Sequence, residues 1–246
     1  KDQLKKAAAF FRSSPSNIMC FQNALNFYNA NQNLLTRLFT LEYSYWFDYL
    51  LPGLYSLHLP IPLGGTSNHF RTQILRELGG WDPYNVTEDA DLGMRASYRG
   101  YQVGILPSTT FEEANSQVKN WIRQRSRWLK GYLQTFLVHN RHPFQVIRNS
   151  GWKGWFTLQA FIGGTTIGQA GSLILWVLFF LWLLNRGEFL QTYFSGVILY
   201  LGMFNLIIGN FLGIYLTMLA VFRRRIDSLI FFSLLNDHSS PRYYAR

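Results

Sequence analysis

The chain has 246 residues, 48% hydrophobic and 17% aromatic, with a formal net charge of +10 and one cysteine, Cys20. One cysteine excludes an internal disulfide and a cysteine-rich metal centre, and it fits a reducing compartment. Residues 1–150 carry 16 Lys and Arg against 10 Asp and Glu (net +6), residues 151–246 carry 7 against 3 (net +4), and no charge falls between Phe156 and Leu184. The second part is therefore membrane-like and the first resembles a soluble domain. Seven cations (Lys119, Arg123, Arg125, Arg127, Lys130, Arg141, Arg148) lie just ahead of the apolar region. Basic residues in that position meet anionic lipid headgroups, so the positive charge does not call for nucleic acid as a partner.

The chain begins at Lys1 on a helical pattern with neither an initiator Met nor a signal peptide, which marks it as an expected fragment. Asp2 to Arg12 predicts a short helix that ends at Ser13-Ser14-Pro15-Ser16. Ile18 to Gln22 predicts a short strand, and Asn33 to Leu50 a helix rich in core-type aromatic and leucine side chains. Gly64-Gly65-Thr66-Ser67-Asn68-His69 then combines paired glycines with small hydroxyl and amide side chains. The glycines allow close backbone approach, and Gly65, Thr66, Ser67 and Asn68 offer donors and acceptors suited to a polyhydroxyl ligand. The same run also reads as a plain turn into the helix predicted at Thr72 to Leu78, which Gly79-Gly80 closes as a left-handed cap.

Thr87-Glu88-Asp89 precedes a helix running to Arg99, with Thr87 as the expected N-cap and Gly100 as the residue after its end. Glu88, Asp89 and Asp91 all fall in its first turn. They complement the helix dipole, and equally they suit a site where one carboxylate is the base and its neighbours set its orientation and pKa. Tyr101 to Leu106 predicts a strand, with Ser108 to Glu113 as its polar exit. From Ser116 to about Val138 the apolar positions Leu129, Tyr132, Leu133, Phe136 and Leu137 give one amphipathic helix. On that helix Gln124, Arg127 and Trp128 share a face and present an amide, a guanidinium fork and an indole. Such a face suits a phosphate-bearing sugar, and it also suits a basic helix lying on a membrane. His139 and His142 have metal-ligand spacing but no third ligand nearby, and Asn85-Val86-Thr87 matches a glycosylation sequon by chance.

Trp152 to Leu184 and Phe189 to Phe222 are each long and apolar enough for a membrane helix, which needs about 20 residues. Basic residues precede the pair, Arg223-Arg224-Arg225 follow it, and the link Asn185 to Glu188 has no net charge. The positive-inside rule then places both ends in the cytoplasm.

Taken in order, Gly64-Gly65-Thr66-Ser67-Asn68, then Thr87-Glu88-Asp89 (TED), then Gln124-Arg125-Ser126-Arg127-Trp128 (QxxRW), about 35 residues beyond TED and ahead of membrane helices, resemble a known family. It is the processive family-two glycosyltransferases, the group that contains bacterial cellulose synthase. The likeness covers about residues 1–225 and corresponds to a C-terminal portion. It implies an α/β fold: residues 1–116 as the acceptor-side half of a GT-A domain and 117–150 as an interface helix region. Residues 151–225 would form a transmembrane hairpin, and 226–246 a truncated or polar end.

The resemblance further implies a membrane-bound enzyme that transfers a hexose with inversion from a nucleotide sugar, a UDP-sugar, to a growing β-linked glycan. Asp89 would be the general base, with Glu88 and Thr87 holding its geometry. Gln124, Arg127 and Trp128 would sit over the donor diphosphate and the acceptor sugar, and Gly65, Thr66, Ser67 and Asn68 would contact the acceptor. The family's Mg2+ or Mn2+ is held by a DxD motif in a donor-binding half not found here, so no residue of this chain is expected to ligate metal. Asp89-Ala90-Asp91 is read as part of TED. Donor binding by these 246 residues alone is expected to be weak. Expected partners are the nucleotide-sugar donor, the glycan acceptor, the lipid bilayer of a plasma or bacterial inner membrane, and other subunits of a glycan synthase. The alternatives are an inactive membrane scaffold and a non-processive transferase acting on a lipid-phosphate acceptor.

Overall fold

The computed structural model describes residues 2–184 and 196–224. The predicted Asn185 to Glu188 link and the end after Arg224 lie outside them.

A three-stranded sheet lies at the centre of the α/β part, in the order β2-β1-β3, with β1 spanning Ile18–Phe27, β2 Asn68–Phe70 and β3 Gln102–Glu112. β1 runs parallel to β3 from Ile18 opposite Gln102 to Phe27 opposite Glu112, and antiparallel to β2 through Cys20 opposite Phe70. Both long strands exceed their sequence-predicted lengths. The pairing crosses Pro107 by a bulge: Asn23 faces Leu106 and Ala24 faces Thr109, so the residue without an N–H is left out of the ladder. The predicted polar exit, Ser108 to Glu113, is thereby mostly strand. β1 continues past Gln22 because its backbone pairs with β3 as far as Phe27, and the fully buried side chains of Gln22 and Asn23 meet the 64–66 turn and His69 of β2 rather than solvent.

Helix α1 (Gln3–Ser13) covers the sheet through Ala7 and Phe11, which pack with Ile18, Phe21 and Leu106. The predicted helix from Asn33 is three joined pieces: α2 (Leu34–Tyr45), a π-helical turn (Trp46–Leu50) and α3 (Leu51–Ser56). A reciprocal capping box between Asn33 and Thr36 starts it. After α4 (Thr72–Glu77), Gly79 and Gly80 take φ of +80° and +67°, the left-handed geometry expected of them.

Helix α5 (Glu88–Tyr98) is buried on two sides. Leu92 and Ala96 face the main core with Met19, Leu51, Leu63 and Val103, while Ala90 and Met94 face a second cluster with Val146, Leu158 and Ile162. The second cluster joins α5 to α6 (Val118–His139), α7 (Pro143–Thr157) and a second π-helical turn (Leu158–Gly163). Tyr132 and Phe136 are the side chains of α6 that pack there, whereas Leu133 and Leu137 face outward. A helix fixed on both sides holds its first turn in a defined place.

Among the described residues, two helices are long and apolar enough to cross a membrane. One runs from Pro143 to Leu181 through α7, which kinks at Gly151 (φ +67°), the π turn and α8 (Gly164–Leu184); the other is Tyr200–Arg224 of α9 (Gly196–Arg224). Leu173, Leu184 and Phe211 point outward. No atom of another element comes within 4 Å of the Cβ position at Gly168 or Gly213, four residues after Gly164 and Gly209, so these two glycines make no close helix contact among the described residues. Instead α9 leans on α2 and its π turn, and α8 on α6.

The end of α9 is clamped to the α/β part. The Arg224 guanidinium forms a two-pronged pair with Asp48 in the first π turn, one prong at 2.9 Å, and donates to the Leu25 carbonyl at 3.2 Å. Arg223 donates to the Asp48 carbonyl, and the Tyr49 hydroxyl to that of Leu219. Both charges of the pair are largely buried, so Asp48→Asn is expected to cost about 1–3 kcal/mol. Thermal unfolding of the detergent-solubilised protein reads this, and an unchanged midpoint would contradict it.

Candidate active site

The 64–68 turn is built from within the chain. Buried Gln22 accepts from the Gly64 N–H and donates to the Thr66 carbonyl, both at 2.9 Å. The Asn68 amide donates to the Gly64 carbonyl, Thr66 Oγ1 to Glu112, and Ser67, at φ +61°, shares its hydroxyl with Thr110 and accepts from Gln3 at 3.1 Å. Thr66, Ser67 and Asn68 thus already have partners, and the polar run carries the turn's own bonding. Gly65 is the exposed residue of the turn, and a Cβ built on it would lie 3.0 Å from Asp89 Oδ2.

Asp89, half-buried at the start of α5, accepts at Oδ1 from the Trp81 indole N–H at 2.7 Å. Burial pushes its carboxyl pKa up, the Trp81 bond opposes this, and the charge of Glu88 adds to the rise, so the net direction is upward. Among the described residues, the side-chain hydrogen bond to Asp89 comes from Trp81, and Glu88 bears on it through charge. Thr87 does not cap α5 with its side chain. Its N–H donates to Asn85 Oδ1 at 3.0 Å, and its hydroxyl lies against Asn85 and, at 3.5 Å, Thr135 of α6.

Asp91 points elsewhere. Its oxygens take Arg95 Nε at 2.6 Å and His139 Nε2 at 2.8 Å, which ties α5 to the end of α6. Burial would raise its pKa, but the bonds and charges of His139 and Arg95 outweigh that and lower it. With one Asp89 oxygen held by Trp81 and both Asp91 oxygens taken, Asp89-Ala90-Asp91 does not fit the Mg2+ or Mn2+ that the resemblance implies. His139 likewise serves the Asp91 pair. A depressed carboxyl stabilises the fold above its unfolded pKa of about 3.9 and loses that contribution as pH falls through the folded value. Asp91→Asn is expected to destabilise by about 3 kcal/mol near neutral pH, with the difference from wild type closing below pH about 3.9. Unfolding midpoints measured against pH check both parts.

The loop before α5 docks on α6. Asn85, buried, donates to Thr135 Oγ1 at 2.8 Å, and Gln134 donates to the Tyr84 carbonyl at 3.0 Å. Burial also removes Asn85 from reach as a glycosylation acceptor. At Gly131 the helix comes so near that a Cβ would meet Thr87 Cγ2, Oγ1 and N at 2.5, 2.6 and 2.7 Å. Gln124, Trp128, Gly131, Thr135 and His139 recur at helical spacing on one face, so QxxRW shares the stripe that holds TED. Trp128 lies three residues before Gly131, about 4.5 Å along the axis.

Gln124 accepts from Asn115 at 2.8 Å, and Arg127 is exposed with no ion pair among the described residues. Arg125 is committed to packing. It pairs two-pronged with Glu42 of α2, one contact at 2.7 Å, and its guanidinium lies 4.7 Å from the centre of the Trp128 ring. Sequence reading gave no role to Trp81, Gln22, Gly131, Thr135 or Glu42. Trp81, eight positions before Asp89 and behind two cap glycines, offered no motif signal.

The mixed α/β body with its small sheet, followed by two long apolar helices, is consistent with a GT-A domain ahead of transmembrane helices. The chain belongs to glycosyl transferase family group 2, which it matches over residues 1–234. Among relatives, it is 33% identical over 105 residues to the probable glycosyltransferase YdaM of Bacillus subtilis (strain 168), covering 42% of this chain and 25% of that protein. It is 28% identical over 155 residues to glucomannan 4-beta-mannosyltransferase 2 of Arabidopsis thaliana (63% and 28%). To the probable glucomannan 4-beta-mannosyltransferase 4 of Oryza sativa subsp. japonica it is 27% identical over 180 residues (73% and 32%). The chain spans about a quarter to a third of the length of these relatives.

Proposed function

We propose that this chain forms the acceptor-side part of a membrane-bound inverting glycosyltransferase that moves a hexosyl unit from a nucleotide sugar to the end of a growing β-linked polysaccharide. The observation that carries this reading is Asp89: a half-buried carboxylate of raised basicity, fixed by an indole N–H, with its other oxygen, unbonded among the described residues, beside Gly65. In the reaction an acceptor hydroxyl attacks the anomeric carbon as Asp89 takes its proton. The bond to the nucleoside diphosphate breaks on the opposite face, which inverts the configuration. Arg127 supplies positive charge for the departing diphosphate, Trp128 stacks on the acceptor ring, and Gln124 bonds a sugar hydroxyl. Gly65 lets the acceptor approach Asp89, while Thr66, Ser67 and Asn68 hold the turn.

The intact protein would draw its divalent metal ligands from outside these residues. Two curated plant relatives are named as mannosyltransferases, which makes a mannosyl donor the first to try. The test supplies labelled nucleotide sugars to membrane vesicles holding the full-length protein and follows polymer formation. Incorporation with release of nucleoside diphosphate is the expected result. No turnover of any hexosyl donor would favour the scaffold reading, and label in a lipid phosphate rather than a polymer would favour the non-processive one.

A further inference from the structure

Asp89 has two oxygens in different surroundings. Oδ1 receives the Trp81 N–H at 2.7 Å, and Oδ2 lies against the open position at Gly65. Trp81 is itself anchored, its ring meeting Phe70 of β2 edge to face at 5.4 Å, yet it remains 43% exposed on the rim of the site. A carboxylate with both oxygens free can rotate and present either lone-pair set. One whose Oδ1 accepts a fixed donor is held in a single plane. We propose that Trp81 is a positioning residue: its indole N–H occupies Asp89 Oδ1 and thereby assigns proton abstraction from the acceptor hydroxyl to Oδ2. This rests on the glycosyl-transfer reading of Asp89 and adds to it the group that selects the reacting oxygen.

The bond to Trp81 also favours the ionised form of Asp89 against its burial, so losing the N–H raises the carboxyl pKa further. The other ionisable groups bearing on this carboxyl, among the described residues, are Glu88 on its own helix and Cys20 in β1. Burial pushes the Cys20 thiol up and keeps it neutral, and burial lowers the neighbouring His69, so neither adds charge near neutral pH. A pH effect on loss of the indole N–H therefore reads on Asp89.

Trp81→Phe in the full-length protein deletes the N–H and keeps a ring against Phe70. The expected result is normal accumulation in the membrane, a roughly 10- to 100-fold fall in kcat, acceptor KM within about twofold, and an acid limb of the rate profile moved to higher pH. Phe70→Leu, which loosens the same ring contact and spares the N–H, is expected to leave the acid limb in place. Should Trp81→Phe fail to accumulate, the benzothiophene isostere of Trp81, which keeps the ring outline without the N–H, gives the same reading. A wild-type kcat and acid limb in the variant lacking the N–H would overturn the assignment, as would an equal loss and equal shift in Phe70→Leu. Asp89→Asn separates the two levels. If it keeps glycan synthesis, the reading of Asp89 itself fails; if it is inactive while Trp81→Phe behaves as wild type, only the role of Trp81 fails.

Discussion

Asp89→Asn in the full-length protein is expected to lower glycan synthesis by about 10²- to 10⁴-fold, the usual contribution of a positioned general base. Folding should be unaffected. An amide retains the Oδ1 acceptor for Trp81 at 2.7 Å and is of nearly the same size. The folded pKa of Asp89 is raised, so its ionised form weighs against the fold, and whatever stability the group contributes is lost as pH rises through the folded value. Removing the charge therefore leaves the protein at neutral pH at least as stable as wild type. Polymer formation in membrane vesicles, read beside the amount of protein in the membrane, separates lost chemistry from lost protein. A variant that retained synthesis within about tenfold of wild type would end the assignment of Asp89 as base.

Gly131→Ala is expected to damage the site from a distance. The new methyl would lie 2.5–2.7 Å from two side-chain atoms and the backbone nitrogen of Thr87, and a backbone atom cannot swing aside. Helix α6 must then separate from the TED turn, which lengthens the 2.8 Å bond from Asn85 to Thr135 and moves Asp89 relative to Gly65. Overpacking of this kind costs about 1–3 kcal/mol. At about 2–4 °C per kcal/mol for a chain of this size, the unfolding midpoint should fall by several degrees. A displacement near 1 Å at a reacting group can cost about 100-fold in rate, so activity should fall further than stability. Gly53→Ala is the control: nothing lies within 4 Å of its Cβ position, and a helical Gly to Ala change there should be neutral or stabilising by about 0.5–1 kcal/mol. Equal behaviour of the two variants would show that the approach of α6 to Thr87 carries no weight.

Much of the chain was legible before its fold. The glycine caps at Gly79, Gly80 and Gly100, the amphipathic helix through QxxRW and the two long apolar segments depend on residues close in sequence, and local patterns fixed them. The strands read too short, because the buried amides of Gln22 and Asn23 and the residues beyond Pro107 looked like loop without the partner strand that pairs with them. Thr66 and Ser67 of the 64–68 turn read as ligand contacts because their partners in the fold, Gln22, Glu112, Thr110 and Gln3, lie about 40 to 65 positions away.

By itself the sequence determined the order of the motifs and the membrane-like second part through local periodicity, charge and short motifs, and the resemblance those motifs carry implied the α/β class and the candidate base. Only the tertiary structure showed which side chains meet the Asp89 and Asp91 carboxylates of this turn. Both Asp91 oxygens are taken by Arg95 and His139, whereas Asp89 Oδ2 lies beside Gly65 with no hydrogen bond among the described residues. It also showed that the Trp81 indole N–H reaches Asp89 from eight positions upstream, and that Gly131 lets the QxxRW helix approach Thr87 at the start of the same turn. The physical reason is that a carboxylate's role depends on which donors reach it through space, and those donors come from separate elements whose meeting depends on how both sides of α5 are packed.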